Sequence, residues 1–553
     1  MSLQPQVCYL IPEETARVAR AAFPKGNIFM RMRDELGPIY ADQAFAALFP
    51  PCGQPALSPW RLALTLVLQF VEGLSDRQAA DAVRARLDWK YALALELTDP
   101  GFDFSVLSEF RDRLIDGALE QHLLEAMLTT FRDLNLLKAR GKQRTDSTHV
   151  LAAIRSLNRL ESVTETLRAA LNAVAQLAPD WLLSQITPEW FDRYSARAEE
   201  YRLPKGEAAR KALAESIGTD GVQLLTAIYA LPAASSLREL AIVETLRQVW
   251  VHQYYFIDGQ LRWRSAADLP PAGTRFDSPY DPEARYGTKR STSWTGYKVH
   301  VSETCEPEAP HLITNIETTP AHIADVTMTA PIHDALAKKD LLPNEHIVDA
   351  GYMDATLLVT SQTEHQLHLT GPVRPDSSWQ AQANNGYDIS CFTINWEAQK
   401  VTCPQGQISR QWIPAQDAWG NATIHVQFAR SGCLSCASRA DCTRAKRDPR
   451  ELTLRPRAEH EALQAARRQQ QTPEWKAAYN VRAGVEGTLS QGIRAFELRQ
   501  SRYIGLARTH LQHILTAAAM NIARFDAWVT GRPRAKTRIS HFEALRPRLA
   551  AAA

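Results

Sequence analysis

The sequence lacks any long hydrophobic run. Its most apolar stretch, residues 62–71, is interrupted by Gln69 and falls well short of the roughly 20 apolar residues that cross a bilayer. The first residues, MSLQPQVCYLIPEE, have no basic segment and soon reach Glu13 and Glu14, which excludes a secretory signal. We therefore predict a protein that neither spans a membrane nor is exported.

Cysteine is also scarce, with 8 residues in 553, and this excludes a scaffold held together by disulfides. Four of the cysteines nevertheless lie within forty residues, at Cys403, Cys433, Cys436 and Cys442. Four thiolates that include one CxxC pair suit a closed, structural zinc site. Two alternatives are that Cys391 replaces Cys403, and that all four are reduced thiols without a metal.

Charge of either sign is balanced overall, but it is not evenly distributed. The net charge is only +2, yet residues 430–510 have 16 Lys and Arg against 8 Asp and Glu, and residues 531–553 have 6 against 1. Since residues 511–530 balance, residues 430–553 carry +13 and residues 1–429 carry −11. A basic C-terminal quarter predicts a polyanionic partner.

The apolar content of 45% is ordinary for a folded protein, but 553 residues exceed the roughly 250–300 that one core supports. We predict an α+β protein of several domains. Helical residues, about 152–275, interrupt its α/β core, and strands at 294–302 and 312–318 pair antiparallel, followed by a helix at 322–338. The predicted parts are a helical module at 1–138, the core at 139–372, a β-rich insert at 373–455, helices at 456–530 and a basic tail at 531–553.

Two helices near the N-terminus have clear start and stop signals. Ser58-Pro59 begins one helix and Gly73 ends it, and a capping box of Ser75 and Gln78 begins the next. A helix, a glycine turn and a helix form the outline of a helix-turn-helix, although a plain helical bundle has the same outline. Two arginines of the second helix are candidates for contacts with DNA phosphates, Arg77 and Arg84.

Two aspartates lie on predicted strands of the core. Residues 143–151, QRTDSTHVL, predict a strand with Asp146 at its middle, and residues 346–352, HIVDAGY, predict a short buried strand that ends in Asp349. In open α/β sheets, ligands and chemistry gather at the carboxyl ends of strands. Asp354 competes with Asp349 for a functional role, but it is better placed to cap the next helix.

A third acidic residue lies near the basic end of the chain. Tyr479, Arg482 and Glu486 are spaced i, i+3 and i+7, which places them on one face of a helix predicted over residues 473–496. An arginine can hold a phosphate with two hydrogen bonds, and a carboxylate can bind a hard cation. This combination predicts a site where a metal ion and a phosphate meet.

Several motifs together make the chain resemble bacterial insertion-sequence transposases of the DDE type, the group with a Tyr-Arg-Glu-Lys signature. The motifs are TDSTHV, DPEAR at Asp281–Arg285, WTGYKVH, VDAGY and RAGVEGTLSQGIRAF. The resemblance covers nearly the whole chain and implies a ribonuclease-H-like core with Asp146, Asp349 and Glu486 as the catalytic triad. Tyr479 and Arg482 are then the signature residues that contact DNA near the cut.

The signature lysine is missing, because its position is occupied by Ile493, and the neighbouring Arg494 is the candidate to supply the charge. Three further arginines beyond this helix are candidates for contacts with phosphates: Arg499, Arg502 and Arg508.

The resemblance also implies two Mg²⁺ ions, with Mn²⁺ as a substitute. The implied partners are double-stranded DNA, both terminal inverted repeats and target, and a second copy of the chain on that DNA. The implied location is the bacterial cytoplasm, at the nucleoid. Metal-dependent cleavage of the element's ends and their transfer to a target is the expected activity. The alternatives are a nuclease of the same fold that does not transpose, and an inactive repressor that only binds DNA.

Overall fold

The computed structural model describes residues 2–6, 9–155, 157–230, 235–289, 291–383 and 386–534. The predicted basic tail therefore lies outside the described residues from position 535 onward. The N-terminal part is helical, as predicted, with helices α1 (Glu13–Ala22), α2 (Ile28–Leu36), α3 (Pro59–Glu72), α4 (Asp76–Ala85), α5 (Leu87–Ala92), α6 (Ser105–Asp116) and α7 (His122–Asp133).

The predicted start and end of α3 and the predicted start of α4 are confirmed, although the Ser58 side chain donates to Asp42 and does not cap α3. Gly73 follows α3 in the left-handed conformation, with φ of 69°. Ser75 caps α4 and forms both hydrogen bonds of the capping box with Gln78. Almost every residue of α3 is buried, so the first helix of the helix-turn-helix outline belongs to the core, whereas α4 has an exposed face.

The α/β region begins with a long strand that is followed by a helical segment. Its first elements are β1 (Lys142–Leu151), α8 (Arg159–Leu177), α9 (Pro179–Leu183), α10 (Pro188–Tyr194), α11 (Glu207–Ala230), α12 (Ser235–Arg238), α13 (Ala241–Gln253), β2 (Tyr254–Ile257) and β3 (Gln260–Trp263). The elements that follow are β4 (Arg285–Lys289), β5 (Thr292–Thr304), β6 (Ile313–Pro320), α14 (Thr329–Lys338), β7 (Glu345–Ile347), α15 (Ala355–His365) and β8 (His368–Thr370).

The largest sheet has the strand order β4-β5-β1-β7-β8, with β6 also paired to β5. The predicted antiparallel pairing of β5 with β6 is confirmed, and β5 runs antiparallel to β1 as well. β7 runs parallel to β1, and β8 runs parallel to β7. Arg144 of β1 pairs with Ile347, the last residue of β7, so Asp146 and Asp349 each lie two residues beyond this pair in the chain.

Two predicted boundaries in this region were wrong. β7 ends at Ile347, so Asp349 lies in the turn after the strand, where its side chain accepts a hydrogen bond from the Gly351 amide. The helix predicted over residues 322–338 is α-helical only from Thr329, because residues 325–328 form a tighter 3₁₀ turn. The prediction for Asp354 is confirmed, since its side chain caps α15 through the Leu357 amide.

The last third of the chain contains a segment of short strands and then four helices. The short elements are α16 (Trp379–Gln382), β9 (Thr393–Asn395), β10 (Lys400–Thr402), β11 (Gln411–Gln416), β12 (Ala422–Gln427), α17 (Arg430–Leu434), α18 (Arg439–Cys442) and β13 (Glu451–Leu454). The helices are α19 (Arg457–Gln469), α20 (Pro473–Asn480), α21 (Ala483–Ala495) and α22 (Leu506–Val529).

The hydrophobic cores do not follow the order of the sequence. The N-terminal helices, the large sheet and α22 share one cluster, in which Phe131 packs on Phe525. The helical segment from α8 to β3 has a separate cluster, and the short strands between β9 and β13 have a third, smaller one. No helix in the described ranges has the length and apolar character that crossing a membrane requires.

Candidate active site

The guanidinium of Arg482 contacts three carboxylates. Its Nη2 lies 2.7 Å from Oδ2 of Asp146 and 3.8 Å from Oδ2 of Asp349, and its Nη1 lies 3.4 Å from Oε1 of Glu486. The acids belong to β1, to the turn after β7 and to α21. The fold thus brings together the three acids and the arginine that the sequence singled out, although Asp146 and Arg482 are 336 residues apart in the chain.

The three carboxylates form a gradient from the protein interior to the solvent. The side chain of Asp146 is 10% exposed, that of Asp349 is 27% exposed and that of Glu486 is 66% exposed. Asp146 forms the floor and also accepts a hydrogen bond from the Ser147 amide. Glu486 forms the open rim, where a large substrate can reach it.

The predicted continuous helix over residues 473–496 is wrong in one respect, because it is broken beside the acids. α20 ends at Asn480 and α21 begins at Ala483. In between, the Arg482 amide donates to the Tyr479 carbonyl and the Val485 amide donates to the Arg482 carbonyl, so these bonds span three residues instead of four. Such a tight turn changes the direction of the chain without leaving helical backbone angles.

Tyr479 lies at the end of α20, beside the carboxylates. Its ring stacks on Trp475, with ring centres 4.8 Å apart and an angle of 13° between the planes. Burial raises the pKa of the Tyr479 hydroxyl, and the negative charges of Asp349, Asp146 and Glu486 raise it further against the opposing effect of Arg482. The phenol is therefore kept protonated, as a hydrogen-bond donor.

Burial also raises the pKa of Asp146, and the charge of Asp349 adds to this effect, although Arg482 and the Ser147 amide oppose it. The folded protein thus binds a proton at Asp146 more readily than the unfolded chain does. The stability that comes from this proton is present below the ordinary carboxyl pKa and is lost as the pH rises through the raised pKa.

We therefore expect Asp146→Asn, which is neutral at every pH, to raise the melting temperature at neutral pH in metal-free buffer. The increase should shrink as the pH falls through the raised pKa of Asp146, and it should be lost once the pH is below about 4, the ordinary carboxyl value. Thermal unfolding at several pH values measures this difference. Asp192→Asn, at an exposed position of α10, serves as the control and should leave the curve unchanged; a lower melting temperature for Asp146→Asn would contradict the expectation.

The arginines predicted to bind DNA occupy different surroundings. Arg494 is exposed on α21, while Ile493, at the position of the signature lysine, packs against the main hydrophobic cluster. Arg499 donates to the Thr148 hydroxyl at 2.8 Å, close to Asp146 along β1. Arg494 therefore lies on the helix that carries Glu486, and Arg499, in the segment after that helix, contacts the strand that carries Asp146.

The other four arginines all have partners within the protein. Arg502 donates to the Leu74 carbonyl and lies over the ring of Phe70, so it joins the C-terminal region to the turn between α3 and α4. Arg508 forms an exposed ion pair with Asp112. On α4, Arg77 lies over the Phe104 ring and Arg84 pairs with Asp81, and both remain exposed.

Sequence reasoning missed a second ion pair at the floor of the site. Lys298 of β5 lies 3.0 Å from Asp325, whose other carboxylate oxygen accepts a hydrogen bond from the Ser147 hydroxyl. Both side chains are largely buried. Lys298 lies in the WTGYKVH motif. A lysine among the β-branched and aromatic residues of a strand was the signal that could have indicated a buried ion pair here.

The DPEAR segment has a structural role in this fold. Both carboxylate oxygens of the fully buried Asp281 accept hydrogen bonds from the Tyr297 hydroxyl at 2.7 Å. Asp281 also accepts from the Gly505 amide, and Glu283 accepts from the Leu506 amide. Two carboxylates thus satisfy the free amides at the start of α22, where negative charge is favourable.

The four clustered cysteines line one small cavity in the β-rich segment: Cys403, Cys433, Cys436 and Cys442. Cys391 does not line it, since its thiol is exposed and faces Asp388. Burial raises the pKa of the Cys442 thiol, and the neighbouring cysteines add to this effect while Arg450 opposes it. The cavity favours Cys403 over Cys391 as the fourth member of the cluster.

Neither predicted metal site has a complete geometry. Within the described ranges, no group of three or more His, Cys, Asp or Glu side chains is arranged so that it could hold a metal ion. At the acidic site the reason is visible, because the Arg482 guanidinium lies between the carboxylates and already compensates their charge. The donors themselves are carboxylate oxygens, which suit Mg²⁺ chemically.

Two models of known families match the chain. A model described as a transposase DDE domain matches residues 402–525, which contain Arg482 and Glu486. A model described as a transposase domain (DUF772) matches residues 17–113, in the N-terminal helices. No curated protein and no solved structure matches. Transposase domains match on both sides of the strands that contribute Asp146 and Asp349, and the two matches together support an insertion-sequence DDE transposase.

Proposed function

We propose that this chain is a transposase that binds the terminal inverted repeats of its own element, cleaves DNA strands there and transfers the ends to a target. The observation that carries the proposal is the convergence of Asp146, Asp349 and Glu486 on the single guanidinium of Arg482. Three acids from distant segments that converge on one cation supply the carboxylates that a divalent metal would need and the guanidinium that a phosphate would need. An ordinary structural ion pair needs only one of them.

Asp146, Asp349 and Glu486 would hold the divalent ions on which DDE transposases generally depend, here Mg²⁺ or Mn²⁺. When bound, such ions lower the pKa of a nucleophilic water or hydroxyl and stabilise the leaving oxygen. Arg482 would then be free to hold a DNA phosphate with two parallel hydrogen bonds. The Tyr479 hydroxyl, kept protonated, would donate to a second phosphate oxygen.

A ribonuclease-H-like core is part of the proposal. It is supported by the order of the large sheet, in which β1 and β7 are parallel neighbours and α21 packs on β1. The segment from α8 to β3 and the segment from β9 to β13 both have hydrophobic clusters of their own. We therefore propose that both are inserts, which lie at about residues 152–275 and 373–455, and that the sheet between them is the catalytic unit.

DNA would extend from the acids over the basic C-terminal region. Arg494 lies on α21 with Glu486, Arg499 contacts Thr148 of β1, and Arg77 and Arg84 offer exposed charge on α4. Each contact with a phosphate would release counterions, so binding should weaken steeply with salt. Because two ends of an element must be joined in one reaction, we propose that the protein acts as a homodimer on its DNA.

For the cysteine cavity we propose a structural zinc ion held by Cys403, Cys433, Cys436 and Cys442. The surrounding segment has a small hydrophobic core, and a metal would supply the stability that this core lacks. We expect one zinc per chain by elemental analysis and less than one in Cys436→Ser. The melting temperature of Cys436→Ser should fall, whereas Cys391→Ser, outside the cavity, should behave as wild type. Equal metal content in all three proteins would contradict the zinc assignment.

The proposed activity is tested with labelled double-stranded DNA that carries the ends flanking the gene. Purified protein is incubated with Mg²⁺ or Mn²⁺, and a fragment of the same composition with scrambled ends is the control. Cleavage at the boundary of the repeat, followed by joining to a second fragment, is the expected result. Cleavage at random positions would indicate a nuclease that does not transpose, and specific binding without cleavage would indicate a repressor.

A further inference from the structure

Glu303 of β5 is a fully buried carboxylate that lies outside the group of acids described above. Its Oε1 accepts a hydrogen bond from Nε of Arg144 at 2.7 Å. Its Oε2 accepts from the Thr488 hydroxyl at 2.6 Å and from Nη1 of Arg524 at 2.7 Å. Burial alone would raise the pKa of Glu303, but Arg524 and Arg144 outweigh it and hold the pKa below its ordinary value.

Arg144 connects Glu303 to the break between α20 and α21. It lies directly opposite Glu303 across the β1–β5 pair and two residues before Asp146 on the same face of β1. Its Nη1 donates to the Val481 carbonyl, within the tight turn that precedes α21. A Cβ atom on Gly484 would lie 2.1 Å from this nitrogen, so only glycine lets the guanidinium approach the helix this closely.

Arg524 and Thr488 connect Glu303 to the middle of α21. Arg524 of α22 donates to Glu303, to the Thr488 hydroxyl at 2.7 Å and to the Gln491 side chain at 3.0 Å. Thr488 is buried, and it lies two residues after Glu486, on the opposite side of the helix. Bonds that fix Thr488 against the sheet therefore fix the rotation of α21 about its own axis, and with it the direction in which Glu486 projects toward Arg482.

We propose that Glu303 is a positioning residue for the active site: it binds β1, α21 and α22 together and so fixes Glu486 against Asp146. This inference rests on the proposed cleavage activity. Glu303 does not touch DNA in this role, because it is completely buried. It acts through Arg144, which lies two residues before Asp146, and through Thr488, which lies two residues after Glu486.

Two variants test the proposal. Glu303→Asp keeps the charge but withdraws the carboxylate by one methylene, and Thr488→Val removes only the hydroxyl from a side chain of the same shape. Since displacement of a reacting group by 1 Å can cost about 10²-fold in rate, we expect end cleavage to slow by about that factor in Glu303→Asp. The dissociation constant for end DNA should not change. Hydrogen exchange at the amides of α21 should become faster in both variants.

The matched control is Glu165→Asp in the helical segment. Glu165 is equally buried, pairs with Arg168 and accepts from the Ala198 amide, but it is packed away from α21. It should lose stability without a change in cleavage rate or in exchange at α21. A merely structural Glu303 would behave like this control.

Wild-type exchange at α21 in both variants would overturn the inference, and so would slower cleavage in Glu303→Asp without faster exchange at α21. Exchange is measured on the free protein and does not depend on cleavage. If the wild-type protein fails to cleave DNA, the proposed function fails, while faster exchange at α21 would still support the positioning role.

Discussion

Replacing Glu486 with Gln is expected to reduce cleavage of end DNA by about 10³-fold or more. The carboxylate is the most exposed of the three acids and the one that a late helix brings to the strands. An amide has nearly the same shape but no charge, so it cannot help to hold a divalent ion. Loss of several kcal/mol of transition-state stabilisation, at about 1.4 kcal/mol per factor of ten, gives this magnitude.

Asp146→Asn and Asp349→Asn should show losses of the same size, measured as the rate of single-turnover cleavage. Because the three acids act as one unit, a double variant should be little worse than either single variant. Glu474→Gln, an exposed carboxylate in the first turn of α20, is the control and should cleave at the wild-type rate. A Glu486→Gln protein that retains normal cleavage would remove this residue from the catalytic group.

Arg482→Gln is expected to have opposite effects on metal binding and on cleavage. In the free protein the Arg482 guanidinium forms ion pairs with the three carboxylates, so a divalent ion must displace it before binding. A hydrogen bond to a charged group contributes about 1.5–3 kcal/mol, so its removal should tighten Mn²⁺ binding by about tenfold or more. Cleavage should nevertheless fall by about 10²-fold, because the two-pronged contact with phosphate is lost.

Titration of the DNA-free protein with Mn²⁺, followed by calorimetry, measures the first effect separately from the second. Arg410→Gln, an exposed position in the β-rich segment, controls for the same change in net charge. Unchanged Mn²⁺ affinity in Arg482→Gln would show that the arginine leaves the carboxylates at no cost. Weaker affinity would show that it helps to assemble them.

Local signals in the sequence were sufficient for part of this site. Ser75 and Gln78 define the start of α4 because a capping box needs only residues three apart. Arg482 and Glu486 are spaced i, i+4, which predicts that they lie on one side of a helix, and their side chains are in contact although the helix is broken next to Arg482. Asp354 caps α15 for the same local reason.

Contacts between distant segments could not be predicted in this way. Arg144 and Glu303 are 159 residues apart, and their pairing depends on the register between β1 and β5. At the break, the Val481 carbonyl accepts from the Arg144 guanidinium, which fits into the space beside Gly484. The resemblance to known transposases identified the three acids, but it did not predict the buried charged residues that hold these acids in position.

The shared core of the N-terminal helices, the large sheet and α22 has a consequence for synthesis of the protein. Arg31 forms an ion pair with Asp526, and Phe131 packs on Phe525, so residues near both ends of the described chain close the same core. The ribosome must therefore release nearly all of these residues before the N-terminal helices can complete their packing. Translation products that stop before α22 should therefore leave the apolar face of the N-terminal helices exposed to solvent.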